Sequence, residues 1–448
     1  LGLHNLTLYR FYYCFVFCMA NLFCLQAQSD TNLLNDKKGS IHFQSTIISQ
    51  KNLPFHSPYS GQNSLLSQEP IRSSFSSTLF LNYKFAKKTY VVFNAEASGG
   101  KGISKTLGIA GFPNGEVYRV GNPAIQPFIA RLYIEHRFNL SNEMVQVNDD
   151  INTIQEKTNR DYVSLIVGKF SLPDFFDDLP TSNDPRTEYF NWALMGSGGW
   201  DYPANTRGYT MGAVVQIIQH DWALKAAITT VPTEANGPHL ELKWGKAMGT
   251  VIEWSKNNFI RKKQGNATLV HLGAFLNYAP MGNYNASLQL AGTGIPDITD
   301  TRKFGRKKWG FYAGLNSDFN HVHHFLSASW GDGKNETWAF TEIDRNVNTG
   351  FQWDGILWKR PNDKLAVAYS ANFLSKPHHT YLAKGGYGFL LGDGQLNYGS
   401  EQIAEIYYSL HLLKKMFLTP DYQFIIHPGY NKDRGPVHVF ALRLHLDM

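Results

Sequence analysis

Beyond residue 24 the chain has no cysteine, since Cys14, Cys18 and Cys24 are its only three. Disulfides and thiolate-bound metals therefore cannot brace anything downstream. Charge is sparse at 17% of residues, and 42 Lys and Arg against 36 Asp and Glu leave only +6, with no long basic block. That balance argues against a nucleic-acid partner. No apolar run of about 20 residues follows Ala27, which excludes helical membrane spans after that point. There is no P-loop, dinucleotide fingerprint or G-x-S-x-G elbow. His321, His323, His324 and the His378–His379 pair lack converging acidic or thiol partners, so neither a metal nor a cofactor is expected.

Aromatic side chains are abundant instead. Phe, Tyr and Trp make up 14% of a chain that is 43% apolar, yet the mean hydropathy is only −0.30. Polar residues must be interleaved with the rings. The first segment, Leu1 to Ala27, has one cation at Arg10, an apolar run from Phe11 to Leu25 and a small residue at its end, the pattern of a secretory signal peptide. Residues 28–39 are expected to form a flexible mature N-terminus, and residues 40–448 a single domain.

That domain alternates with period two. Phe75, Leu79, Leu81 and Tyr83 share one face, with Ser76, Thr78 and Asn82 on the other. Val270, Leu272, Ala274, Leu276 and Tyr278 oppose His271, Gly273 and Asn277, and Leu365, Val367, Tyr369, Ala371 and Phe373 oppose Ser370 and Asn372. Such segments match a strand that crosses a bilayer at a tilt, about 9–11 residues. Backbone groups in hydrocarbon must pair within the chain, and a closed sheet achieves this without helices. Rings on one face and small or polar groups on the other fit lipid outside and water within. Sixteen such segments lie between Ile41 and Met448, with doubtful extras at Tyr284–Leu290 and Tyr387–Leu391. The fold class is therefore all-β, a transmembrane antiparallel β-barrel of about 16 strands. Trp222, Trp244, Trp254, Trp309, Trp330 and Trp358 are expected to form interfacial girdles. Breaks such as Gln219–Asp221 and Lys246–Met248 read as tight turns of one rim.

Two irregular stretches, Ser98–Pro123 and Gly168–Thr210, carry charged and aromatic residues without strand periodicity. Four ordered motifs stand out: GIAGFPNGE with Arg119 beyond it (Gly108 to Arg119), GKF, DFFD, DPRT and NWAL in succession (Gly168 to Leu194), WDYPANTRGYT (Trp200 to Thr210), and LTPDYQFIIHPGYNKDRGPVHVFALRLH (Leu418 to His445). On these motifs the chain resembles the carbohydrate-selective porin family (OprB-type) over nearly all of its length after the signal. The resemblance implies a sixteen-stranded barrel with loops folded into the lumen, a narrow pore that favours sugars, and a place in the outer membrane of a Gram-negative bacterium. Its partners would be small sugars in transit, with lipid and lipopolysaccharide around it. The family is thought of as mainly monomeric, with a trimer as the alternative.

A sugar-selective constriction needs groups that replace water on hydroxyls, and rings for C–H faces, each contact weak enough to release. Alternation with Phe128, Ala130, Leu132 and Ile134 outward puts Arg131, Tyr133, Glu135 and Arg137 in the lumen. On the preceding strand it puts Asn94 and Glu96 inside. Arg131 is expected to oppose Glu96 or Glu135 across the constriction. Arg119 and Arg207 in the loops are further candidates, and Trp192, Trp200 and Tyr202 are candidates for stacking on a sugar ring. Passive sugar diffusion is thus the leading function. A general or ion-selective porin, an outer-membrane barrel hydrolase with a Ser/His/acid set on one rim, and a plugged structural barrel are the alternatives; Asp174, Asp177 and Asp178 form a carboxylate cluster, but glycoside hydrolysis needs a separation that spacing does not fix.

Overall fold

The computed structural model describes residues 36–117, 123–259 and 267–448. The proposed signal peptide, Arg119, and residues 28–35 of the N-terminal segment lie outside them. Among the described residues no helix is long and apolar enough to cross a membrane. The chain crosses with strands.

In chain order these are β1 (Gly39–Asn52), β2 (Arg72–Ala86), β3 (Thr89–Gly100), β4 (Gln126–Asn139), β5 (Met144–Val147), β6 (Glu156–Asn159), β7 (Tyr162–Phe170), β8 (Thr210–Ile218) and β9 (Trp222–Thr229). There follow β10 (Met248–Asn257), β11 (Thr268–Ala279), β12 (Arg306–Phe319), β13 (Val322–Gly331), β14 (Arg345–Asp354), β15 (Lys364–Phe373), β16 (Glu401–Leu413), β17 (Met416–Ile426) and β18 (Val437–Asp447). Sixteen of them close into one antiparallel barrel, while β5 and β6 pair separately as a hairpin. Closure joins the ends of the chain, with Ile47 of β1 opposite Leu444 of β18. No strand edge is left for hydrocarbon to strip of hydrogen bonds.

Period two decides what faces where. Leu272, Phe311 and Phe440 are about half exposed on the outer skin, while Thr78, Asn94, Ser164 and His271 are buried on the inner face. Long connections share one rim: residues 53–71, 101–125, 171–209, 230–247, 280–305, 332–344, 374–400 and 427–436. Short turns such as 87–88, 219–221, 320–321 and 414–415 share the other. That asymmetry is the one outer-membrane barrels show, with long loops outside the cell. Trp309 and Trp330 sit at the long-loop rim and Trp222 and Trp254 near the short-turn rim, as their strand positions require.

Three local readings need correction. Residues 246–248 close the long connection 230–247 instead of forming a tight turn. The doubtful segment at Tyr284 is the helix α1 (Tyr284–Ala291), capped by the Asn283 side chain, which accepts from the Ala286 N–H at 2.9 Å. The third concerns β4. Asn94 pairs with Arg131 but Ala95 pairs with Ile129, which leaves Ala130 as an extra, bulged residue. A one-residue insertion reverses the faces on one side of it. Ile129 therefore points outward, 42% exposed, while Ala130 is buried. Phe128 turns inward, where the Arg207 guanidinium lies 4.1 Å from its ring centroid.

The long-loop half of the bore is narrowed by infolded loops. Ile403, Ile425, Val437 and Val439 face inward and are fully buried, packed with Ile109, Phe112, Ala193, Leu390, Leu391 and Tyr430 from the loops. Apolar residues on the inward face would be unfavourable against water, and the infolded loops are what cover them. On the short-turn side the β5–β6 segment folds against the inner wall. Asn152 accepts from Asn94 at 2.9 Å, and Asp149 pairs with Lys37 at 2.7 Å and with His42 at 3.2 Å.

Candidate functional site

The connection from β7 to β8, residues 171–209, crosses the lumen and is fastened to the far wall. Glu405 on β16 accepts from the Phe190 N–H at 2.6 Å and the Asn191 N–H at 3.0 Å. The Asn191 side chain donates to Gln423 of β17 at 2.9 Å and to the Gly111 carbonyl at 2.8 Å. Arg443 on β18 donates to the carbonyls of Pro185, Thr187 and Glu188 at 2.7–3.0 Å. On its return the loop is held by Asp201, which accepts from the N–H groups of Trp338, Ala339 and Phe340 at 2.7–2.9 Å. These buried loop amides and carbonyls thus find partners on the wall or a neighbouring loop, which is the condition for burying irregular backbone at membrane depth.

Between this loop and the β2–β4 wall remains a cavity of about 240 Å³. Its charged lining forms a chain of alternating sign. Asp174 receives a two-pronged bond from Arg131, 2.7 Å from Nε and 2.6 Å from Nη2. Arg131 lies over the Tyr209 ring, 5.5 Å from its centroid. The Tyr209 hydroxyl donates to Glu96 at 3.0 Å. Glu96 also accepts from Thr78 at 3.0 Å and pairs with Arg186 at 3.1 Å. Arg186 in turn donates to Glu116 at 2.9 Å. Burial pushes the Glu116 carboxyl above the ordinary value, against the pull of Arg186. Two buried donors, Arg131 Nη1 and Trp192 Nε1, have no hydrogen-bond partner among the described residues.

The partners differ from those expected. Arg131 is tied to Asp174, not to Glu96 or Glu135, because the infolded loop brings an acid closer than the neighbouring strand does. Glu96 instead holds Arg186. Glu96, Arg131, Trp192, Tyr202 and Arg207 line the cavity. Asn94, Glu135 and Arg137 do not: they face inward nearer the short-turn rim, where Arg137 and Glu135 bond to each other at 2.7 and 3.0 Å. Trp200 is also elsewhere, 1% exposed and stacked on Tyr312 with centroids 5.0 Å apart. Its ring belongs to the packing that supports the loop. Arg186, Glu116 and Tyr209 were missed, and Asp174 was singled out only as one of an acidic cluster. Asp174, Arg186 and Glu116 stand within the DFFD, DPRT and GFPNGE segments or beside them, but nothing in one dimension says that they meet.

A closed sixteen-stranded barrel with a loop across its bore is the architecture of a diffusion channel. The model of the family described as carbohydrate-selective porin, OprB family, matches residues 69–448. The chain belongs to that family. OprB of Pseudomonas putida, in its high-pH structure, has a similar fold at 14% identity, with a TM-score of 0.68 over 92% of this chain and 94% of that one. The outer-membrane channel DcaP of Acinetobacter baumannii is 10% identical, with a TM-score of 0.50 over 92% and 97% of the two chains. No curated protein sequence matches the chain. As an OprB-family porin it is a carbohydrate-selective channel of the Gram-negative outer membrane, and its family and fold are those of channels rather than enzymes.

Proposed function

We propose that the cavity bounded by Arg131, Asp174, Glu96, Arg186 and Glu116 is the narrowest part of the sugar pathway. A sugar that enters it exchanges water for protein hydrogen bonds, moves down its gradient and leaves unchanged. No covalent step is involved. The observation that carries this reading is the cavity of about 240 Å³ left between the crossing loop and the wall, lined by guanidinium, carboxylate and hydroxyl groups. Such a lining suits a hydroxyl, which needs acceptor and donor contacts that are weak enough to break. The lining carries five acids, Glu96, Glu116, Asp174, Asp178 and Asp184, against three arginines, Arg131, Arg186 and Arg207, a surplus that disfavours anions relative to neutral solutes.

Arg207, stacked on Phe128, adds a cation at the same level. Phe112 and Phe340 lie 4.3 and 4.6 Å from the Trp192 ring. Its indole edge is therefore what Trp192 offers a solute. The channel works as a single barrel, since the sheet closes on itself and the pathway runs within one chain.

Liposomes holding the purified porin should swell in monosaccharides faster than in neutral zwitterionic solutes of similar size. Equal rates for both would make it a general porin, and no swelling in either would remove the channel reading.

A further inference from the structure

The outer skin of the barrel carries a second feature that the sugar pathway does not use. Across five adjacent strands the outward residues at one level are Leu272, Ala313, Ala328, Val347 and Ala371, in register. One step nearer the long-loop rim they are Ala274, Phe311, Trp330, Arg345 and Phe373. The two alanines, hemmed in by larger neighbours, leave a groove of about 780 Å³ walled by Leu272, Phe311, Trp330, Val347 and Phe373, with Arg345 at its upper end. Arg345 is exposed, lies 6.0 Å from the Trp330 ring centroid, and has no ion pair or hydrogen bond among the described residues.

Charge on this skin has one sign. Among the described residues, the charged side chains on the outward face of the barrel strands near the long-loop rim are Lys51, Lys169, Lys307 and Arg345. No Asp or Glu joins them there. Lys51 and Lys169 donate to the carbonyls of Glu69 and Ile129, and Lys307 lies over the Tyr278 ring at 5.1 Å. An arginine at the hydrocarbon boundary is tolerated at little cost, but it is favoured when an anion completes it. The long-loop rim faces the outer leaflet.

We propose that this groove is a lipid site for a phosphorylated, multiply acylated glycolipid of the outer leaflet. One acyl chain lies on Ala313 and Ala328, and a phosphate bonds to Arg345, with Trp330 between them at headgroup depth. Shape argues for a chain, because a second barrel docked on this face would have to fill a groove with flat strands. Charge argues for the phosphate, because guanidinium geometry matches its oxygens two at a time. The inference rests on the membrane barrel alone and is independent of how sugars pass.

The test is native mass spectrometry of the full-length porin, isolated from outer membranes, stripped of lipid and titrated with bisphosphorylated lipid A. Heat-dependent electrophoretic mobility would show that each variant is folded. Wild-type protein should retain one lipid, and Arg345→Gln and Ala328→Phe should each weaken it about tenfold or more, the factor that one charge-assisted contact carries. Leu442→Ala, on another sector of the skin, should leave binding unchanged. Unaltered retention in both groove variants would overturn the site, and equal retention of dephosphorylated lipid A would overturn the role of Arg345. A dimer that Ala328→Phe abolishes, with lipid binding intact, would show that a second copy of the chain occupies the groove and would also overturn it.

Discussion

Replacing Arg131 by Ala removes a positive charge from the cavity and both of its bonds to Asp174, which retains the Ser171 N–H at 3.0 Å. A unit charge about 5 Å from a passing ion is worth about 0.8 kcal/mol at the dielectric constant of water. Its loss helps a monovalent cation and hinders an anion by that amount each, so the cation-to-anion permeability ratio should rise by roughly 10- to 20-fold. Salt does not erase the effect, because the Debye length near 0.1 M is about 10 Å, longer than the contact. The unpaired carboxylate costs about 1–3 kcal/mol, a loss the barrel tolerates because Asp174 is still 19% exposed at the cavity wall. The assay is the zero-current potential across a planar bilayer under a potassium chloride gradient, read beside sugar-driven liposome swelling. Asp174→Asn should shift the potential in the opposite direction. If folded Arg131→Ala protein keeps the wild-type potential and wild-type sugar rates, the passage lies elsewhere and the reasoning fails.

Two further outcomes follow from the same geometry. Glu405→Ala leaves the buried Phe190 and Asn191 amides without their carboxylate, at about 1–3 kcal/mol for each orphaned group. The crossing loop should then fluctuate, with noisier and larger single-channel currents and faster proteolysis between residues 171 and 209; a quiet, wild-type trace would show that Glu405 does not hold the loop. Acid should also change selectivity. Glu116 binds a proton more tightly in the folded porin than in the unfolded chain, since burial raises it. As pH falls through its raised value Glu116 loses its charge first, while ordinary carboxylates are still ionised, and the cavity turns more positive. Over that window protonation also favours the folded state. Zero-current potentials should therefore move toward anions between neutral pH and about pH 4, the ordinary carboxylate range. Glu116→Gln should shift the neutral-pH value in that direction and shrink the remaining change, and an identical titration in that variant would exclude Glu116.

How far the site was legible in one dimension can be argued residue by residue. Glu96 and Arg131 were assigned the inner face correctly because each sits on a strand with apolar outward neighbours. Phe128 and Ala130 were assigned the wrong face because a bulge leaves no periodic trace when both residues concerned are apolar. Trp200 was attractive as a sugar platform because exposed and buried rings look alike in a motif. In the fold its ring is stacked on Tyr312. Arg131 was assigned the wrong partner because Asp174 is 43 residues away and comes from a loop, and no pattern of spacing encodes where a loop folds.

The sequence by itself determined that this chain makes a barrel with a wet interior. Alternation is a local property, and in hydrocarbon local alternation admits one closed solution, since every strand needs two neighbours. Only the tertiary structure decided which charges meet around the cavity. That depends on Glu405, Gln423 and Arg443 gripping a loop from the opposite wall, contacts between residues more than two hundred positions apart. It also decided that Ala313 and Ala328 share one groove with Arg345. Three strands had to be set in register before those side chains became neighbours.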